Sequence, residues 1–190
     1  MTNNLPYLLI DDDLSLNFSI VVIILSKLSF SARGNAMLDF EKLQIFFYLV
    51  KNPSKINPML ALAGKKLSLI KPQYTFTVES LSSNVDVLYD RSKLKLLLKN
   101  MAARGMLECD NITDPKSLKY YLSPAGISFA ENLIHSNSNS SIAVNERSNE
   151  DQYHKSYFKT TLDIAEALAP LQSLPTTKLN FYLSSIFKRT

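Results

Sequence analysis

The sequence predicts a mainly helical α+β fold with one small β-hairpin, and three observations carry that prediction. Only 4 glycines occur in 190 residues while hydrophobic residues make up 46%, a composition that favours helices over many tight β-turns. Apolar residues recur three and four apart behind the helix-capping residues Asp39 and Asp90, and Gly64 and Gly105 stand where two helices must stop. Directly after Gly105, two short β-prone stretches, 106–109 and 118–122, flank a polar turn that contains Pro115.

Residues 5–10 are short, apolar and bounded by Pro6 and three aspartates, which fits a short strand or an extended arm. Asp13 or Ser15 can then cap a helix by offering a side-chain oxygen to a free backbone N–H. That helix runs to about Leu28 and is apolar nearly all round, so it is buried on several sides, in the core or against a partner. A turn follows over 31–35. Asp39 caps a second helix over 40–51, whose Leu43, Phe46, Phe47 and Val50 share one face, and Asn52-Pro53 stops it. A shorter third helix starts at Ser54 and ends near Gly64, with Leu60 and Ala61 inward. Residues 73–78 have the β-branched and aromatic content of a strand, while 84–89 either extend a strand or lead into the next helix.

Asp90 caps the fourth helix, 91–104, and Gly105 closes it. The hairpin follows, with its turn over 110–116. In Ser123-Pro124-Ala125-Gly126, Ser123 is the N-cap of another helix and Pro124 sits at its first position, where a missing N–H costs nothing. That helix continues to about Ile134. Residues 135–151 are rich in Ser and Asn and suit a flexible linker or a long surface loop. A helix over 153–169 places Leu162, Ala165, Leu168 and Ala169 on one face, Pro170 and Pro175 break the chain, and 178–187 suits a last short helix.

The order helix, turn, helix, capped helix, hairpin, closing helix is that of a winged helix-turn-helix. The segment LKNMAARGMLECDNITDPKSLKYYLSPAGISFAENL, 98–133, resembles bacterial winged-helix proteins, in which a helix ending in Arg-Gly leads into a β-wing and then into Leu-Ser-Pro-Ala-Gly. The expected organisation is a winged-helix domain with an N-terminal helical part over 1–134, a polar linker or loop over 135–151, and a C-terminal helical extension over 152–190. The fold class alone does not choose between DNA, RNA and protein as partner.

Composition excludes several classes of function. Cys109 is the single cysteine, which rules out an internal disulfide and a cysteine-based zinc site and suits a reducing compartment. Only His135 and His154 supply imidazoles, poor material for a metal site or an acid–base pair. Asp11, Asp12 and Asp13 precede the first apolar run, where a secretory signal would carry positive charge. The run 20–25 is far shorter than the roughly 20 apolar residues of a bilayer span. A cytoplasmic protein without a membrane segment is expected. The three aspartates point in different directions and meet no second acidic cluster, so they suit capping and solvation. Tyr120 and Tyr121 must face opposite sides of a strand, one of them inward. Cys109 suits a small packing residue. No Ser–His–Asp set, phosphate loop or dinucleotide fingerprint is present, so no catalytic residue, cofactor, metal ligand or small-molecule substrate is expected.

The candidate site is a surface. Arg91, Lys95 and Lys99 fall four apart on one face of the fourth helix, opposite Leu94, Leu97, Leu98 and Met101. A basic stripe backed by an apolar one lets a helix sit on phosphates while packed on its domain. Lys116 and Lys119 in the wing can add phosphate contacts. The same residues also suit a partner face or a solvated helix surface. Net charge is only +4 with pI about 9.0. Bidentate base readers on the helix are few, namely Arg91, Arg104 and Asn100.

The N-terminal block LPYLLIDDDLSLNFSIVVIILSKLSFSARGNAMLDFEKLQIFFYLVKNP, joined to the winged-helix segment above, resembles the middle component of bacterial ABC-three component systems, which include the Lamassu-type anti-phage systems. The resemblance covers roughly 5–133 and carries over no functional residue. It implies a non-catalytic accessory subunit that bridges an SMC-like ATPase, which senses foreign DNA ends, to a nuclease-type effector. The competing expectation is a dimeric winged-helix DNA-binding transcription regulator; an enzyme is not expected.

Overall fold

Six consecutive aliphatic residues set the centre of the molecule. The computed structural model describes residues 14–70, 90–110, 117–135 and 149–188. Helix α1, Leu14–Leu28, carries Ile20, Val21, Val22, Ile23, Ile24 and Leu25, and each is at most 1% exposed. A helix apolar on every side must be covered on every side, and α1 is covered by the chain itself. It packs against α2 (Phe40–Lys51), α4 (Arg91–Ala103), strand β2 (Lys119–Leu122), α5 (Pro124–His135) and α6 (Asn149–Ala167). Of its two expected caps, Ser15 lies inside the first turn, where its carbonyl accepts from the Ser19 hydroxyl. Asp13 lies outside the described residues.

The turn after α1 forms as expected, with Gly34 at φ 78° and the Phe30 and Ala36 backbones bridged. Asp39 caps α2 by accepting from the Lys42 N–H at 2.8 Å. Asn52 closes the helix, its side-chain amide donating to the Tyr48 carbonyl at 3.0 Å. The next helix does not start at Ser54. Pro53, with no N–H to give, begins a single 3-10 turn, Pro53–Lys55, and α3 runs Ile56–Leu62. Ile56, Met59 and Leu60 point inward, whereas Ala61 is exposed. Gly64, at φ 63°, ends α3 in a Schellman arrangement: its N–H donates to the Ala61 carbonyl and the Lys65 N–H to that of Leu60.

The same device ends α4. Gly105 has φ 66°, its N–H donates to Ala102 and the Met106 N–H to Met101, both at 2.9 Å. Because Met106 is spent on that cap, β1 begins one residue later than expected, Leu107–Asp110. It pairs antiparallel with β2 in the register Leu107–Leu122, Glu108–Tyr121, Cys109–Tyr120 and Asp110–Lys119. The Tyr120 N–H donates to the Leu38 carbonyl at 2.8 Å, which ties the hairpin to the segment entering α2. Tyr120 packs against the core, while the Tyr121 ring lies 5.1 Å from the half-exposed Phe30. Cys109 is exposed and free, not a packing residue.

The Ser-Pro-Ala-Gly turn is explained by close approach. The Ser123 hydroxyl donates to the Gly105 carbonyl at 2.6 Å and accepts from the Gly126 N–H at 3.2 Å. A Cβ on Gly126 would stand 2.3 Å from the Met106 carbonyl oxygen, so only glycine fits. The hairpin therefore folds back on α5 through backbone-to-backbone proximity.

Helix α6 is followed by a 3-10 turn, Ala169–Leu171, and by α7, Thr176–Phe187, two residues earlier than the expected start. Ile164, Leu168, Leu171, Leu179, Leu183 and Ile186 join the same hydrophobic core as α1 and α2. Ala169, expected inward, is exposed, because the chain has left the α-helix there. The expected strand at 73–78, the ambiguous stretch 84–89, the arm at 5–10, the wing tip at 111–116 and most of the expected linker (136–148) lie outside the described residues. No helix among the described residues is long and apolar enough to cross a membrane.

Candidate macromolecular interface on α4 and the hairpin

Helix α4 is positioned by its own ends. The Asp90 carboxylate accepts from the Ser92 N–H at 2.9 Å, and hydrogen bonds from Ser92 hold that carboxyl below the usual carboxylate range. Gly105 stops the other end. Leu94, Leu97, Leu98 and Met101 enter the core. Arg91, Lys95 and Lys99 are left on the outer side, as their spacing requires, and the helix contains no acidic residue.

The five basic residues singled out from the sequence do not act as one patch. The Arg91 guanidinium is drawn toward the start of α2, 3.4 Å from Glu41 Oε1 and 5.0 Å from the centre of the Phe40 ring. The Lys119 ammonium lies 3.1 Å from Asp39 Oδ2 and donates to the Ser117 hydroxyl at 3.0 Å. Lys95 and Lys99 are exposed, and no acidic side chain among the described residues pairs with either. Lys116 lies outside the described residues. The α2 N-terminus thus answers two of the cations, and two remain open on α4.

Asp39 is the junction that sequence reasoning saw only as a helix cap. Its Oδ1 caps α2, and its Oδ2 accepts from Lys119 and from the Thr176 hydroxyl at 3.3 Å, joining α2, the hairpin and α7. Beside it, Lys42 donates to the Gln172 carbonyl at 3.1 Å. Burial lowers the Lys42 pKa, the Asp39 charge opposes that shift, and the nearby Lys119 adds to it. Gln172 in turn donates to the Leu28 carbonyl at 2.6 Å and to the Phe30 carbonyl at 2.9 Å, answering the otherwise unpaired end of α1. Nothing in the local sequence around Asp39 announces these partners, 80 and 137 positions away.

Leu96 is the second residue that the helix pattern passed over. It is 52% exposed and sits between Lys95 and Lys99 on the outer face. A signal was present: Leu96 lies two positions from Leu94, a spacing that puts it across the helix from the core stripe.

Chemically, the arrangement offers a surface. Among the described residues no group of three or more His, Cys, Asp or Glu side chains could hold a metal ion. A cleft between the segment 66–70 and α6 has a volume of about 750 Å³, and its lining includes Leu60, Leu67, Ile164 and Ala167 together with Lys66, Lys159 and Asp163. It brings none of the α4 or hairpin cations together.

No curated protein and no solved structure matches the chain. The family model described as ABC-three component (ABC-3C) system Middle Component 4 matches residues 28–140, from the end of α1 through α2, α3, α4, the hairpin and α5. With well over half of its length inside that match, the chain belongs to the middle component 4 family of ABC-three component systems.

Proposed function

We propose that this chain is the non-catalytic accessory subunit of a bacterial anti-phage ABC-three component complex, bridging an SMC-like ABC ATPase and a nuclease-type effector in the cytoplasm. The observation that carries this reading is family membership over 28–140, because a middle component is one part of a multi-component assembly. The described side chains support it: the exposed cations and Leu96 lie on a convex helix face, a shape suited to contact with another macromolecule and not to enclosing a substrate. In this reading the body is a winged helix. A capped helix, a two-stranded hairpin and the closing helix α5 follow one another, with the hairpin tied to the residues before α2. The helices after 149 form an extension docked on that body.

The test is affinity purification of the tagged chain from its native host at moderate salt with nuclease treatment, followed by mass spectrometry. Stoichiometric recovery of an SMC-like ATPase and a second large subunit is the expected outcome. Recovery of the chain alone as a dimer would instead favour the second reading, a winged-helix DNA-binding regulator, which rests on the open Lys95 and Lys99 of α4.

A further inference from the structure

We infer that the outer face of α4, formed by Lys95, Leu96 and Lys99 and continued by Ala102 and Ala103, is the docking surface for an acidic amphipathic segment of a companion subunit. The inference rests on the accessory-subunit reading and adds which face is used and what chemistry it meets.

Two classes of occupant compete for a basic helix face, duplex nucleic acid and acidic protein. The charge count favours protein. Of the six described cations on α4, its C-terminal cap and the hairpin, Arg91 is paired with Glu41, Lys119 with Asp39, Arg104 lies over the Phe18 ring and Lys93 already has an interaction within the chain. That leaves Lys95 and Lys99. Neutralising two phosphates gives a salt slope of only about −2, against the 6 to 10 contacts of a typical DNA-binding surface. Breaking the two existing pairs to recruit more cations would set Glu41 and Asp39 against the phosphates.

The shape of the face points the same way. Leu96 stands 52% exposed between the two lysines. Against a DNA backbone this side chain would be pressed onto phosphate and water. Against an amphipathic helix it is an apolar anchor with charged neighbours, the ordinary arrangement of a small protein interface. One turn further on, Ala102 and Ala103 are exposed and small, so a partner backbone can approach closely there. With Leu96 about two turns from Ala103 on the same side, the face matches a partner segment that repeats apolar residues at three and four and carries Asp or Glu on its flanks. The absence of any acid on α4 itself leaves such a partner unopposed.

The experiment uses the full chain co-expressed with the two companion components of its own system. Leu96 is replaced by the photo-crosslinking residue p-benzoylphenylalanine, the complex is irradiated, and the crosslinked peptide is identified by mass spectrometry. In parallel, Lys95→Glu/Lys99→Glu and Leu96→Ser variants are measured for co-purification and for binding to a 30-base-pair duplex across a salt series. The expected result is a crosslink to an acidic segment of one companion, a tenfold or greater loss of co-purification in both variants, and recovery when acids of that segment are changed to lysine against the double Glu variant. Circular dichroism confirms that the variants fold. If the wild-type complex forms but both variants co-purify as well as it does, the docking surface is elsewhere and the accessory reading survives. If no complex forms with the wild-type chain, both readings fall together. Steep salt-dependent duplex binding that the double Glu variant abolishes overturns the proposal in favour of nucleic acid.

Discussion

Helices α1 and α4 touch each other, yet they meet solvent in opposite ways. Helix α1 is aliphatic through its middle and buried without a break over 17–25, where α6 and α5 close over it. Helix α4 commits four residues to the core and presents lysines, an exposed leucine and small residues outward. The pair shows that an apolar helix is a weak pointer to a partner when the chain is long enough to wrap it. The more informative feature is one large apolar side chain stranded among charges.

The sharpest way to break the comparison is to remove the cover of α1. Truncation after residue 148 deletes α6 and α7 and with them Ile164, Leu168, Leu171, Leu179, Leu183 and Ile186 from the core. At about 1.5–3 kcal/mol for each buried side chain, the loss matches or exceeds the stability of a typical domain. The truncated chain is expected to lose its near-ultraviolet circular dichroism and to bind a hydrophobic dye; a cooperative melt would show that α1 is adequately covered without α6. A smaller effect comes from Asp39→Ala. It removes the α2 cap and leaves Lys119 and Thr176 without their carboxylate, at a cost of about 2 kcal/mol in urea denaturation. A double-mutant cycle with Lys119→Met separates the cap from the ion pair.

Lys42 provides a pH test of the same junction. Its pKa is lowered from 10.5 in the folded chain, mainly by burial, so the unfolded chain holds that proton more tightly. Its contribution to stability is therefore present above 10.5 and is lost as pH falls through the lowered folded value. The urea midpoint of the native protein is expected to rise relative to that of Lys42→Met as pH climbs through this window; parallel curves would mean that the ammonium is not desolvated. The smallest effect sharpens the α4 side. Lys95→Glu/Lys99→Glu should change stability by no more than about 0.5 kcal/mol, because both side chains are exposed and bear no structural bond. A large destabilisation would make the face structural.

Local chemistry made much of this architecture legible. Asp39 and Asp90 cap the helices they precede, Gly64 and Gly105 close the helices they follow, and Ser123-Pro124 opens α5 after a hairpin of the expected order. Each of these rests on neighbours within a few positions. What was not legible depends on pairs far apart in the chain. The spacing of Arg91, Lys95 and Lys99 is right, but nothing near Arg91 or Lys119 tells that Glu41 and Asp39 answer them. Ala61 and Ala169 fail for a different reason. A small apolar residue carries little burial signal, and at Ala169 a proline one position on had already turned the chain off the helical path.

The packing of α6 on α1 has a consequence for synthesis. Helix α1 is made well before the surface that covers it, which follows some 120 residues later. At ribosomal speeds of roughly 5–20 residues per second, a helix with six consecutive aliphatic residues waits on the order of ten seconds for its lid. During that interval α2 and α5 shield it only in part. Fusions or tags that delay release of residues 149–187 should lower soluble yield more than equal additions before α1, and a chaperone that holds nascent apolar segments should be a limiting factor in producing this chain.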